Sequence, residues 1–116
     1  KVNFKVNEDI NSPVFGIAII RSDGVYVYGP NTREDNVYRN VTLKKGKKSY
    51  FKIIYEKINL MAGDYLLHVG IFDKNEIIPI DFLENIYGFS ISQNDNENIE
   101  GIIKINHHWE VKQIDF

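Results

Sequence analysis

Cysteine is absent from the chain, so no disulfide framework, thiolate metal site or thiol nucleophile is possible. That absence is consistent with a reducing compartment. No apolar run approaches the roughly 18 residues that a membrane-spanning helix needs. Lys and Arg number 14 against 16 Asp and Glu, a formal charge of -2, so no basic field argues for nucleic acid or an anionic membrane. Neither GxxxxGK[ST] nor GxGxxG occurs, which excludes the common loops for ATP and dinucleotides, and no serine stands in a GxSxG elbow. Apolar spacing nowhere holds the helical period of about 3.6 for more than a turn or two.

What the chain does have is strand-like sequence. Residues 14–32, VFGIAIIRSDGVYVYGPNT, read as a β-hairpin. Two runs rich in β-branched and aromatic residues, 14–20 and 25–28, flank Ser22-Asp23-Gly24. Asp-Gly at that place signals a turn, because Gly reaches positive φ without steric cost and Asp bonds its own backbone. Alternation puts Phe15, Ile17 and Ile19 on one face of the first arm and Gly16, Ala18 and Ile20 on the other. In the second arm Val25 and Val27 oppose Tyr26 and Tyr28. The valine and isoleucine faces suit a core, and the face of Gly, Ala and Tyr suits open, amphipathic surface.

The 116 residues make one domain, 1–116. Strands are expected at 2–6, 41–43, 49–55, 65–73, 77–80, 87–92, 101–105 and 109–114. Polar connections are expected at 8–13, 29–40 and 93–100, with an irregular turn at 81–85. Pro79 marks its strand as an edge. Short strands at regular intervals predict an all-β antiparallel sandwich, immunoglobulin-like or jelly-roll-like.

Several constellations have plain readings. His107 and His108 are adjacent, and neighbours on a strand point to opposite faces, so they and His68 are not read as a metal site. The oxygen-rich tract Asn94-Asp95-Asn96-Glu97-Asn98 lacks the ordered spacing of a calcium loop and reads as solvated surface. The four lysines around Gly46 read as a solvated hairpin tip, and Asn40-Val41-Thr42 matches the glycosylation acceptor pattern only as any short motif can. No cofactor is expected. An enzyme on a jelly-roll would need paired acids facing a groove, and the acids here are scattered.

The aromatics say more: seven Tyr, seven Phe and one Trp. Tyr26 and Tyr28, with Gly16, Ala18, His68 and Gly70 on the corresponding strand faces, form a mix that fits a saccharide. Small residues let a ligand approach the sheet, tyrosine offers an apolar ring with a polar tip, and amide, carboxylate and imidazole groups bond hydroxyls. A subunit contact or a loop-covered outer face fits the same residues. The candidate glycan-contacting residues are Tyr26, Tyr28, Asn31, Thr32, Tyr50, His68 and Asp73.

The ordered runs Pro13-Val14-Phe15-Gly16-Ile17, Arg21-Ser22-Asp23-Gly24-Val25, Tyr28-Gly29-Pro30-Asn31-Thr32, Leu60-Met61-Ala62-Gly63-Asp64-Tyr65, Val69-Gly70-Ile71 and Phe89-Ser90-Ile91, with Gly101 and Trp109, resemble the C-terminal domain of Wzt-type ABC transporter ATPases. They cover nearly the whole chain. The resemblance implies an immunoglobulin-like sandwich that follows an ATPase domain, and a chain starting at Lys1 inside strand-like sequence fits a piece of a longer protein. It implies a non-enzymatic domain that recognises lipid-linked O-antigen polysaccharide, through its modified non-reducing end, and selects it for export. The implied partners are the polysaccharide, a second copy, the ATPase domain and the transmembrane permease, at the cytoplasmic face of the inner membrane. It also implies a homodimer with exchanged C-terminal strands, for which Trp109, Val111 and Ile114 are the candidates. A dimerisation module without glycan binding is the alternative. Pro30 departs from the family pattern by fixing φ before Asn31.

Overall fold

The computed structural model describes residues 1–75, 78–92 and 100–113. Among them are eight strands and no helix: β1 (Val2–Lys5), β2 (Ile10–Asn11), β3 (Val14–Arg21), β4 (Tyr26–Tyr28), β5 (Thr42–Leu43), β6 (Lys48–Phe51), β7 (Gly63–Phe72) and β8 (Pro79–Ile91). The expected all-β, immunoglobulin-like antiparallel sandwich is the fold of the chain. One layer is a four-stranded sheet in the order β4-β3-β7-β8. The other is built from two short pairs, β1 with β6 and β2 with β5.

β3 lies at the centre of the molecule because it is apolar on both faces. Its inner face carries Phe15, Ile17 and Ile19, each less than a tenth exposed. Phe15 meets Phe4 of β1 and Phe51 of β6 at ring separations of 6.0 and 5.0 Å, which joins the two layers. Burying each such side chain contributes about 1.5–3 kcal/mol. Tyr65 of β7 is the other inner anchor. It stacks on its cross-strand partner Phe89 at 5.5 Å, and its hydroxyl donates to the Met61 carbonyl at 2.6 Å. The turn after β3 closes as its sequence predicts: Gly24 has φ +93, and the Asp23 carboxylate accepts from Arg21 Nε at 2.8 Å.

The structure corrects several sequence expectations, among them the strand at 101–105, which is a single bridge at Ile103. The outer face of β3 is more closed than expected, since Ala18 and Ile20 are 9% and 7% exposed. The polar stretch 8–13 contains β2, because Ile10 pairs with Leu43. The expected turn at 81–85 is part of the 13-residue β8, which starts at Pro79, where a missing N–H does least harm to the ladder. Residues 109–113 form no strand, and all five are exposed. The oxygen-rich tract 94–98 and Ile114 lie outside the described residues.

The second layer is narrower than the first. It covers β3 and buries Tyr65 and Ile71 on the inner face of β7, but among the described residues it leaves Leu83 and Tyr87 of β8, opposite Val69 and Leu67, largely open. Leu83 is 45% and Tyr87 63% exposed. Residues 102–104 pair with 59–61 through Met61 N to Ile102 O at 2.8 Å and Lys104 N to Asn59 O. The chain then runs on with Ile105, Trp109 and Val111 mostly in solvent.

Candidate functional site

The outer face of the four-stranded sheet is built in rows by the register. Gly16 pairs with Gly70 and Ala18 with His68, so the small residues and the histidine share that face. Past β4 the chain keeps to the edge of β3: Asn31 bridges Gly16, and Ile17 N donates to Pro30 O. That register sets Gly29 opposite Ala18 and brings Asn31 onto the same face. The floor is thus Gly29, Ala18, Gly16 and Gly70.

Two bulges frame this floor from opposite sides. On β4 the register slips by one residue between Ile19↔Tyr28 and Ile20↔Tyr26. Ile19 and Ile20 point to opposite faces of β3, so the slip separates the two tyrosines that simple alternation puts together. Tyr26 stays on the outer face, where its ring lies over Gly29 so closely that no Cβ fits there. Tyr28 goes with the inner face, beside Tyr55. The Tyr55 hydroxyl is buried without a hydrogen-bond partner. Burial pushes it above its ordinary value, and the neighbouring Tyr28 adds to the rise.

On β8 the slip is larger. Leu67 pairs with Tyr87 and Val69 with Leu83, so three residues, 84–86, stand opposite His68 alone. Asn85, at the middle of that bulge, has φ +51 and aims its Oδ1 at His68 Nε2, 3.1 Å away. Bulges of this kind re-aim side chains and concentrate next to functional sites. Phe82 completes the wall, edge-on to His68 at 5.9 Å and 6.0 Å from Phe72. A Cβ on Gly70 would lie 2.5 Å from the Phe72 ring, so that glycine is where Phe72 rests. The face therefore offers a polar pair, His68 and Asn85, between aromatic rings.

The remaining sequence candidates are engaged in other contacts. Asn31 Oδ1 accepts from Glu34 N at 2.8 Å, and Thr32 Oγ1 accepts from Phe15 N at 3.0 Å, so both side chains hold the 31–37 loop. Tyr50 is on β6 in the other layer, exposed, with the Lys1 ammonium 4.5 Å from its ring centre. Asp73 closes the turn before β8 by accepting from Ile78 N at 3.2 Å. Of the seven candidates, Tyr26, Asn31 and His68 share the outer face, while Tyr28, Thr32, Tyr50 and Asp73 do not join them. Phe82 and Asn85 were not among the candidates. The alternation of Ile80 and Phe82 through this stretch was the available signal, and reading 81–85 as a turn hid it.

Two clefts flank the 29–41 loop. One, of about 560 Å³, runs between the layers past Phe15, Ile17, Tyr50 and Ile53. The other, of about 490 Å³, lies between Ser12, Arg33, Tyr38, Arg39 and Lys74.

The family model of the Wzt C-terminal domain matches residues 1–105. The chain belongs to that family. A solved structure titled as the crystal structure of the C-terminal domain of wzt matches with a TM-score of 0.77 at 24% identity. The match covers 91% of this chain and 64% of that one, so the chain spans less than two thirds of that solved chain, and the likeness speaks for the fold. No curated protein matches the chain. In this Wzt C-terminal domain the family match ends at residue 105, so both framed bulges lie inside it and Trp109 and Val111 lie beyond it.

Proposed function

We propose that this Wzt C-terminal domain is a non-catalytic polysaccharide-binding module of an exporter. It works with an ATPase domain and a transmembrane permease at the cytoplasmic face of the inner membrane, and it selects lipid-linked O-antigen by the modified non-reducing end. The observation that carries the reading is the pair of bulges that set Tyr26 on one side and His68 with Asn85 on the other of a single face. An exposed ring stacks on the apolar C–H face of a pyranose. The imidazole and amide bond hydroxyls, and their mutual contact holds both in place before a ligand arrives.

The test is a titration of the chain with the intact surface polysaccharide of its source and with the same polymer trimmed at its end, followed by tyrosine and tryptophan fluorescence. The intact polymer is expected to bind saturably and the trimmed one not. Tyr26→Ala or His68→Ala should weaken binding about tenfold, near 1.4 kcal/mol, and Tyr28→Ala should leave it unchanged. Full affinity in the Tyr26→Ala/His68→Ala double variant sinks the reading.

A second role, dimerisation, has its own observation: Trp109 and Val111 are 84% and 88% exposed, and Leu83 and Tyr87 on the inner face of β8 are 45% and 63% exposed. We infer that the C-terminal segment of one copy lies on the inner face of another. Exchange of that segment and glycan binding on the outer face use opposite sides of the sheet and coexist.

A further inference from the structure

The cleft of about 490 Å³ has a chemistry unlike that of the sheet face. Among the described residues its lining includes three cations, Arg33, Arg39 and Lys74, and no carboxylate; Arg33 Nη1 donates to Asn75 O at 3.3 Å across it. Ser12, Thr32, Asn40 and Asn75 supply hydroxyl and amide groups around them. Of the described acids, Asp73 accepts from Ile78 N, and Asp35 lines the cleft between the layers.

Backbone strain gathers at the same place. Four non-glycine residues among those described have positive φ; two of them, Ser12 (+52) and Tyr38 (+53), line this cleft, and a third, Asn36 (+55), bonds the lining residue Arg39. For a residue as bulky as tyrosine that conformation is an outlier, and such outliers persist where the surroundings over-determine them and cluster at ligand sites. The surroundings here do so. Ser12 N donates to Val41 O at 2.8 Å, Val37 N to Thr32 O at 2.9 Å, and Arg39 Nη1 to Asn36 Oδ1 at 3.0 Å. The loop is tied down at both ends, and Arg39 is oriented by the strained Asn36.

We propose that this cleft binds an oxyanion, a carboxylate or a phosphate, with Arg39 and Lys74 as the principal partners and the exposed Tyr38 ring beside it. A planar guanidinium meets such a group through two parallel N–H donors, and an ammonium adds a point charge. The proposal rests on the polysaccharide reading for the source of the anion, an acidic sugar or a phosphorylated one, and not for the existence of the site.

The experiment is an amide-shift titration of the 116-residue chain with inorganic phosphate, with glucuronate and with glucose, at constant ionic strength. Phosphate or glucuronate should give saturable shifts centred on Ser12, Tyr38, Arg39 and Lys74, and glucose none. The stronger of the two names the source. Arg39→Gln and Lys74→Gln should each weaken binding about tenfold, while Arg39→Lys retains part of it; all three change exposed side chains and should leave the fold intact. Unsaturable shifts, shifts centred on the lysine turn at 44–48, or unchanged affinity in the Gln variants overturn the proposal. Saturation here without polysaccharide binding at Tyr26 removes the glycan reading and keeps the anion site; the converse removes the site and keeps the reading.

Discussion

The Tyr65 hydroxyl shows how much one buried polar atom constrains. The side chain is 1% exposed, and its donation to Met61 O ties the start of β7 to the segment that precedes it. Tyr65→Phe leaves that carbonyl without its donor and should cost about 1–2 kcal/mol in urea unfolding, with an unchanged m value. Burial also pushes this hydroxyl above its ordinary value, with Arg21 opposing, and Tyr55 is raised in the same sense. Unfolding returns each to about 10. Above that pH the unfolded chain has given up protons that the folded chain keeps, so stability falls as pH rises. The contribution is fully present below about pH 10 and lost above it, and the alkaline decline should be shallower in Tyr65→Phe.

At the scale of elements, the turn and the bulges differ in how they can be read. Asp-Gly announced the β3–β4 turn, and Gly24 takes the positive φ that the motif requires. No atom lies within 4 Å of a Cβ placed there, so the cost of a side chain is conformational alone. Gly24→Ala should lower stability by about 1–2 kcal/mol, seen as a shifted urea midpoint with binding on the outer face retained. The bulges left no such mark. Val27 looks like any strand valine, and it is the extra residue that parts Tyr26 from Tyr28. Glu84, Asn85 and Ile86 read as a break, yet β8 continues through them and uses Asn85 to reach His68.

The whole molecule is elongated, with a Cα radius of gyration of 19.4 Å and a long dimension of 74 Å. A compact chain of this length has a radius of about 13 Å. The excess goes with a C-terminal segment that leaves the sandwich bearing Ile105, Trp109 and Val111 in solvent. Apolar side chains displayed in this way mark an interaction surface. The chain should sediment as a dimer, with tryptophan emission shifted to the blue of free indole. Trp109→Ala/Val111→Asp should give a monomer, which the loss of the one tryptophan leaves with tyrosine emission alone, with the sandwich intact by circular dichroism. A wild-type chain that sediments as a monomer at high concentration overturns the exchange.

What the residues determined by themselves is the local layer: the all-β class, the hairpin with its turn, the inner face of Phe15, Ile17 and Ile19, and the pairing partners Gly16, Ala18, His68 and Gly70 as members of one face. Period-two patterning and turn chemistry depend on near neighbours, so they are visible along the chain. Tertiary structure alone decided which side chains meet across strands. The register of β8 against β7, the separation of Tyr26 from Tyr28 and the gathering of Arg33, Arg39 and Lys74 around Ser12 all depend on residues that meet across strands or loops and not on near neighbours. A slip of one residue reverses a side chain's face, and no composition or local period records where the slip occurs.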